Sequence, residues 1–313
     1  MGQPQLCQPT SPSGHASQEG ITLVLTFPRT MTLAATELRG PNRPQNVMQK
    51  ISIPWIVVFA HMFIILLLPL AALMLRAIVL NPAEFWALAT TPIALSTYNI
   101  TFGTAAIAGL VNMLAGTLTA WVLVRYQFPG KRFLDGIVDL PFALPTAVAG
   151  VTLATVYSQS GWLGQFFTPF GIQIAFSRVG VAIAMIFVSL PFVVRTVQPV
   201  LQEVEPTVEE AAWALGASRF QTFWKVILPP IIPAILTGTA QAFARAVGEF
   251  GSVVLVAANV PFQDLIAPVL VFQRLEQADI PGATVTGLVL LLISLMLLLI
   301  INLLQAWGRR YDA

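Results

Sequence analysis

The sequence predicts an all-α membrane protein with about six transmembrane helices. Three observations predict it. Charged residues make up 10% of the 313 and hydrophobic ones 56%, whereas a soluble domain carries roughly 25% charged residues. The mean hydropathy is +0.78. Finally, Val57–Leu75 and Pro281–Gly308 contain no Asp, Glu, Lys or Arg, and about 20 apolar residues suffice for a helix to cross the hydrocarbon core. Composition also excludes several classes. A net charge of +2 without a basic block gives no footprint for nucleic acid. The single cysteine, Cys7, leaves no internal disulfide framework and no cysteine-built metal cluster. His15 and His61 lack metal-ligand spacing, and His61 reads as a packed or interfacial residue. No metal site and no catalytic set is expected, because the acidic residues are scattered and no nucleophile–base pair occurs.

The elements follow in order. Residues 1–50 are read as a disordered or mis-annotated extension, and 51–313 as the membrane domain. The first twenty residues are rich in Pro, Ser, Gly and Gln. The run "ITLVLTFPRTMTLAA" is broken by Pro28 and Arg29 and follows no basic n-region, so it is neither a span nor a clean signal peptide. Met31 and Met48 are alternative starts. Apolar run length places six spans near Ser52–Leu80, Tyr98–Val124, Gly136–Tyr157, Val179–Leu201, Ile231–Ala257 and Ala283–Trp307. Lys50, Arg125, Lys131, Arg132, Arg219, Lys225, Arg309 and Arg310 then share one side, which the positive-inside rule makes cytoplasmic, together with both termini. The opposite loops hold only Arg76, Arg178 and Arg274. In the third span, "DLPFALPTAVAG", Pro141 and Pro145 each remove a donor and should kink the helix, and Gly150 permits close packing. The fourth span echoes it with "SLPFVV". Two broken helices suit a moving pathway, but proline is also simply common in membrane helices.

The segment "TVEEAAWALGASRFQTFWKVILPP", Thr207–Pro230, is charged and glycine-interrupted between two apolar runs. Thr207 with Glu210 forms a capping-box pattern that starts a helix. Val208, Ala211, Ala212 and Leu215 share one small face, and Gly216 supplies a left-handed stop. Ser218 and Gln221 form a second capping-box pattern. Phe220, Phe223, Trp224 and Ile227 make an apolar face, and Pro229 and Pro230 should stop the helix and bend the chain into the fifth span. Two short helices at the membrane surface can dock a partner protein, or they can merely seal the interface.

"EEAAWALGASRFQTFWKVILPP" resembles the EAA motif of ABC importer membrane subunits. Glu210, Ala211, Ala212, Gly216, Val226, Leu228 and Pro229 occupy the motif positions, with Val226 where Ile is more usual. "RYQFPGKRFLDGIVDLPFALPTAVAGVTLATVYSQSGWLG", "LPFVVRTVQPVL" and "FARAVGEFGSVVLVAAN" are similar to the T-type permeases of the sulfate/thiosulfate family, and the likeness covers almost everything after about residue 52. The resemblance implies a type I (MetI-like) importer permease fold whose coupling loop, 203–230, seats in a cytoplasmic ATPase. It implies as partners a W-type permease, two ABC ATPase subunits that bind ATP and Mg, and a periplasmic sulfate/thiosulfate-binding protein, in a bacterial inner membrane. No P-loop sequence occurs in this chain, so the nucleotide would be held by those ATPase chains.

Four charged residues fall within or near the spans. Arg245 and Glu249 are four apart in the fifth helix and face one side. A charge at mid-bilayer costs about 2.5–3.5 kcal/mol on insertion scales, so they should pair. They are read as lining the pathway or the interface with a second permease and acting as a gate or seal, with Arg245 freed transiently. A self-paired structural bridge is the alternative. On the gate reading, Glu249→Gln leaves assembly intact and uncouples ATP hydrolysis from uptake. Asp139 and Arg195 either pair across helices or reach the headgroups separately. A molybdate/tungstate permease shares the "GEFG" region and stays open. A secondary transporter would want repeats stronger than the Leu-Pro-Phe echo.

Overall fold

The computed structural model describes residues 53–308. The extension 1–50, Lys50, Arg309, Arg310 and both termini lie outside them. The chain divides into two compact units, 1–60 and 61–313, and the bundle described below belongs to the second. Every regular element among the described residues is a helix. In chain order these are α1 (Ile53–Met62), α2 (Leu68–Ile78), α3 (Pro82–Ala89), α4 (Pro92–Arg125), α5 (Lys131–Val138), α6 (Leu140–Ala143) and α7 (Thr146–Tyr157). They continue with α8 (Arg178–Glu203), α9 (Pro206–Ala214), α10 (Arg219–Thr222), α11 (Leu228–Val247), α12 (Val253–Val256), α13 (Ala267–Glu276) and α14 (Ile280–Gly308).

Among the described residues, five helices are long and apolar enough to cross a membrane: Pro54–Ile78, Pro92–Arg125, Arg178–Glu203, Arg219–Val247 and Ile280–Leu303. The third expected span is not one helix. It is split into α5, α6 and α7, with Leu144 extended (ψ 132°) ahead of Pro145, as the residue before a proline is pushed out of the helical region. The three pieces still make a pass antiparallel to α8. Asp135 and Asp139 bond Arg195 towards one end of α8, and the Tyr157 carbonyl accepts from Ala175 just before the other. The fourth span does not share this fate. α8 runs unbroken through Pro191 and Pro199. On the turn before Pro191, Asn112 of α4 donates to the Ile186 carbonyl at 3.0 Å and to Ser189 Oγ at 2.8 Å, the kind of help from a neighbouring helix that makes proline tolerable in a membrane.

The expected break at Pro229–Pro230 is also absent. Arg219–Val247 is continuous, with a π-turn at Phe223–Ile227. Leu228 N–H bonds the Phe223 carbonyl, five residues back. This widened turn absorbs the missing proline donor and the ring's clash with the preceding turn. The first helix solves the same problem in the same way, with a π-turn at Phe63–Leu67 ahead of Pro69.

The fifth span ends sooner than expected. α11 stops at Val247, and after a turn through Gly248–Gly251 a short α12 follows. Hence Glu249 lies beyond the helix rather than inside it.

α4, α8 and α11 form the centre, packed by small residues. A Cβ placed on Gly116 would lie 2.8 Å from Val193 Cβ, and one on Gly238 would lie 2.9 Å from Val193 Cα. Val193, fully buried, is thus clasped from both sides. Two apolar clusters extend from there, one around Val194, Val197 and Ile231, the other around Met185, Val253 and Leu265. Beyond α12, the loop to α13 is folded around buried Asp264, whose carboxylate accepts from Ala258 and Val260 N–H at 2.6 and 2.8 Å. Arg178 reaches the same loop at the Phe262 and Gln263 carbonyls.

Candidate functional site

Within the segment 203–230, α9 is the part that stands out from the bundle, whereas Thr222 and Ile227 further on are buried. α9 contains no buried residue. It starts at Pro206, whose missing N–H is harmless at a first helical position. The expected Thr207–Glu210 capping box does not form. Thr207 Oγ1 bonds Glu205 Oε2 at 3.0 Å instead, and Glu210 is exposed. The stop at Gly216 is as the sequence indicates: φ is +85°, Gly216 N–H bonds the Trp213 carbonyl at 2.9 Å and Ala217 N–H bonds Ala212 at 3.0 Å. This paired pattern is a Schellman motif. The second capping box forms completely, with Gln221 N–H to Ser218 Oγ at 3.2 Å and Ser218 N–H to Gln221 Oε1 at 2.9 Å. The aromatic face of the second helix is divided. Ile227 is buried and Phe223 packs edge-on against Trp121, but Phe220 and Trp224 stay exposed.

Val208, Ala211, Trp213 and Leu215 are exposed, Leu215 by 90%. A salt bridge ties α9 to the bundle through a residue that the sequence pattern did not single out. Glu209 Oε1 lies 2.7 Å from Arg125 Nη2 at the end of α4, and both side chains are only 14% exposed. Arg125 also donates to the Val204 carbonyl at 3.3 Å and stacks over Trp121 at 5.7 Å. Glu209 therefore faces the bundle, while its neighbour Glu210, with Ala211, faces away.

Asp139 and Arg195 do pair across elements. Arg195 grips Asp139 with two bonds, at 2.8 and 2.6 Å. Nη1 also reaches Asp135 Oδ1 at 2.7 Å and Gln198 Oε1 at 2.6 Å, and Nη2 reaches the Asp135 carbonyl at 2.7 Å. All three guanidinium nitrogens are engaged, so Arg195 is a latch between α8 and the α5–α6 pieces. Asp135 sits on amphipathic α5, outside the expected span, and a search confined to intramembrane charge misses it.

Arg245 Nη1 meets Glu249 Oε2 at 2.6 Å. Glu249 is 1% exposed, and its other oxygen accepts from Ser252 N–H at 2.9 Å and Ser252 Oγ at 2.8 Å. It thus fastens the turn between α11 and α12. That turn lies hard against α7: a Cβ on Gly150 would sit 2.5 Å from the Ser252 carbonyl oxygen. One turn before Arg245, the exposed Gln241 amide lies 3.2 Å from Thr196 Oγ1 of α8, whose own proton goes to the Phe192 carbonyl at 2.7 Å. Among the described residues no group of three His, Cys, Asp or Glu side chains could hold a metal.

Residues 112–310 match the family of binding-protein-dependent transport system inner membrane components. The chain is 68% identical over 263 residues to the sulfate transport system permease protein CysT of Synechocystis sp., covering 84% of this chain and 92% of the relative. It is 56% identical to the CysT protein of Synechococcus elongatus, covering 88% and 99%. A probable sulfate transport system permease protein of Chlorokybus atmophyticus is 58% identical, covering 82% and 90%. Among solved structures, a bacterial ABC transporter that imports the acidic polysaccharide alginate superposes with a TM-score of 0.67 at 17% identity, covering 81% of this chain and 93% of the other. The MetNI methionine transporter gives 0.50 at 20% identity, covering 75% and 100%. The sequence match thus reaches from inside α4 through the segment 203–230 to α14, and the bundle has the importer permease fold: this chain is a multi-pass membrane permease that belongs to the binding-protein-dependent transport system inner membrane components and groups there with the CysT permease proteins.

Proposed function

We propose that the chain is the T-type permease subunit of an ATP-driven importer of sulfate or thiosulfate in a bacterial inner membrane. The observation that carries the mechanical part is α9, a helix with no buried residue, held to the bundle by Glu209 and terminated by Gly216. A helix that presents Glu210 and the small Ala211 outwards, with Ala212 partly covered, lets a partner surface approach closely. That partner is a cytoplasmic ABC ATPase, one of two, which binds ATP and Mg. Its movement on nucleotide binding is passed along two routes: through α10 and the continuous helix past Leu228 and Pro229 into α11, and through Glu209–Arg125 into α4. The lysines and arginines beside these elements support a cytoplasmic position for them and for both termini.

The substrate class rests on the relatives named sulfate transport permeases. The alginate transporter, whose structure includes a periplasmic protein bound to alginate pentasaccharide, is the model for delivery of the anion by a periplasmic sulfate/thiosulfate-binding protein. A second, W-type permease completes the pathway. This chain supports that reading through one face, where Asp135, Asp139, Arg195, Thr196, Gln241 and Arg245 lie partly or fully exposed on spanning and interrupted helices. Charge facing lipid is costly, so such a face belongs against another subunit or a water-filled path. Arg195 with Asp139 and Arg245 with Glu249 are then the ion pairs that flank the pathway and reset as it opens.

The test is reconstitution with the ATPase, the second permease and the binding protein in liposomes. Sulfate, thiosulfate, molybdate and tungstate are compared. ATP-dependent accumulation of sulfate or thiosulfate is expected. Uptake of molybdate alone would refute the substrate assignment, and uptake without ATP would refute the mechanism.

A further inference from the structure

Two arginines lie on the polar face, and their hydrogen bonding separates them. Arg195 spends all three nitrogens on Asp139, Asp135 and Gln198. Arg245, among the described residues, donates only through Nη1, to Glu249. Glu249 in turn is not wholly spent on Arg245, because its second oxygen is taken by the Ser252 amide and hydroxyl. Its charge is therefore drawn into the buried turn, away from the open side of Arg245, whose side chain remains 31% exposed against 1% for Glu249. The position of the next donor is set by helix geometry. Gln241 is one turn earlier on the same face of α11 and exposed. Its amide lies 3.2 Å from Thr196 Oγ1; that hydroxyl gives its one proton to the Phe192 carbonyl at 2.7 Å, so the amide supplies the N–H between them and keeps a second N–H to offer.

We propose that Gln241 and Arg245 form a contact site for a tetrahedral oxyanion on its way through the membrane, with Glu249 as a positioning residue that holds the guanidinium in place. The inference rests on the importer reading for its substrate and specifies where the anion touches this chain. The chemistry is charge-assisted hydrogen bonding to an anion with no proton to give, so donors alone are wanted. A passing ion also needs a site weak enough to leave, and an arginine partly neutralised by a carboxylate is such a site. The contrast with Arg195 is the discriminating feature. A guanidinium with every nitrogen occupied can latch helices but offers an anion no donor.

The experiment uses the lone cysteine to advantage. Cys7→Ser with Gln241→Cys places one thiol in this subunit at the proposed site. In the reconstituted complex, the rate of labelling of this subunit by anionic and cationic methanethiosulfonate reagents is compared, with and without millimolar sulfate. The thiol should prefer the anionic reagent, and Arg245→Gln should lower that preference about tenfold, whereas Arg245→Lys should retain most of it. Sulfate should slow labelling while Arg245 is present. An unreactive thiol, a charge preference that ignores Arg245, or no protection by sulfate in the Arg245-containing protein would overturn the proposal. The last readout needs no change at Arg245, so a misfolded Arg245 variant does not spare the idea. Sulfate uptake by the Cys7→Ser complex is measured alongside. Loss of protection with uptake intact counts against this site alone, whereas absence of uptake counts against the substrate reading.

Discussion

If Glu209–Arg125 carries motion from the coupling helix to α4, breaking it should cost stability and coupling together. The contact is 2.7 Å long, and both side chains are 14% exposed. Fully exposed pairs contribute about 0.2–1 kcal/mol, and removing one partner of a buried pair costs about 3–5 kcal/mol. A pair this sheltered belongs between those limits, so the interaction energy in a double-mutant cycle of Arg125→Met and Glu209→Gln should be about 2 kcal/mol. The two single changes should not be equal. Arg125 also bonds the Val204 carbonyl and stacks over Trp121, which adds roughly 1 kcal/mol to its loss. The cycle is read twice, on thermal unfolding of the purified complex and on the ratio of sulfate taken up to ATP hydrolysed. Glu209→Gln should still bind the ATPase, because Glu210–Ala212 are untouched, but the transport ratio should fall. Effects that add to within about 0.5 kcal/mol, or an unchanged ratio, would refute the reasoning.

Other consequences follow from the packing. Gly150→Ala puts a methyl 2.5 Å from the backbone oxygen of Ser252, which cannot move cheaply. It should lower stability by about 1–3 kcal/mol, while Gly136→Ala, with nothing within 4 Å, is a control with little steric effect in the same unfolding assay. Gly216→Ala meets no neighbour either, but its φ of +85° costs an L-residue roughly 1–2 kcal/mol. It should reduce co-purification of the ATPase, whereas Gly130→Ala, at φ +84°, should carry a similar backbone cost without that loss. Glu249→Gln should leave the complex assembled yet raise the ATP hydrolysed per anion imported; full coupling in that variant would argue against a role in the pathway.

Much of the segment 203–230 was legible because its signals are local. Gly216 at a helix stop and the Ser218–Gln221 box depend on a few consecutive residues, and both form as read. Thr207 misled because the helix starts two residues earlier, at Pro206 with Glu205 as its cap, which leaves Thr207 inside the first turn. The proline readings failed for a different reason. By sequence Pro229 and Pro191, the proline of "SLPFVV", read as breaks, but a π-turn absorbs one and the other lies within an unbroken helix beside Asn112. Neither remedy is encoded next to the proline itself. Pro145 does break its span, because Leu144 adopts the extended state that precedes proline. Glu249 looked like an intramembrane helical charge from its spacing to Arg245. Its bonds to Ser252 and the glycines around it end the helix first. Glu209 and Asp135 were missed because their arginine partners are distant in sequence.

The central claim is that α9 seats on a separate motor protein. A cysteine at Ala211 in the Cys7→Ser background, combined with a short thiol cross-linker and the assembled complex, tests it most directly. Cross-linking to the ATPase subunit, with a yield that changes when ATP binds, is the result expected. A cysteine labelled only from the periplasmic side, or one that reaches no ATPase in a complex known to be assembled, would contradict it.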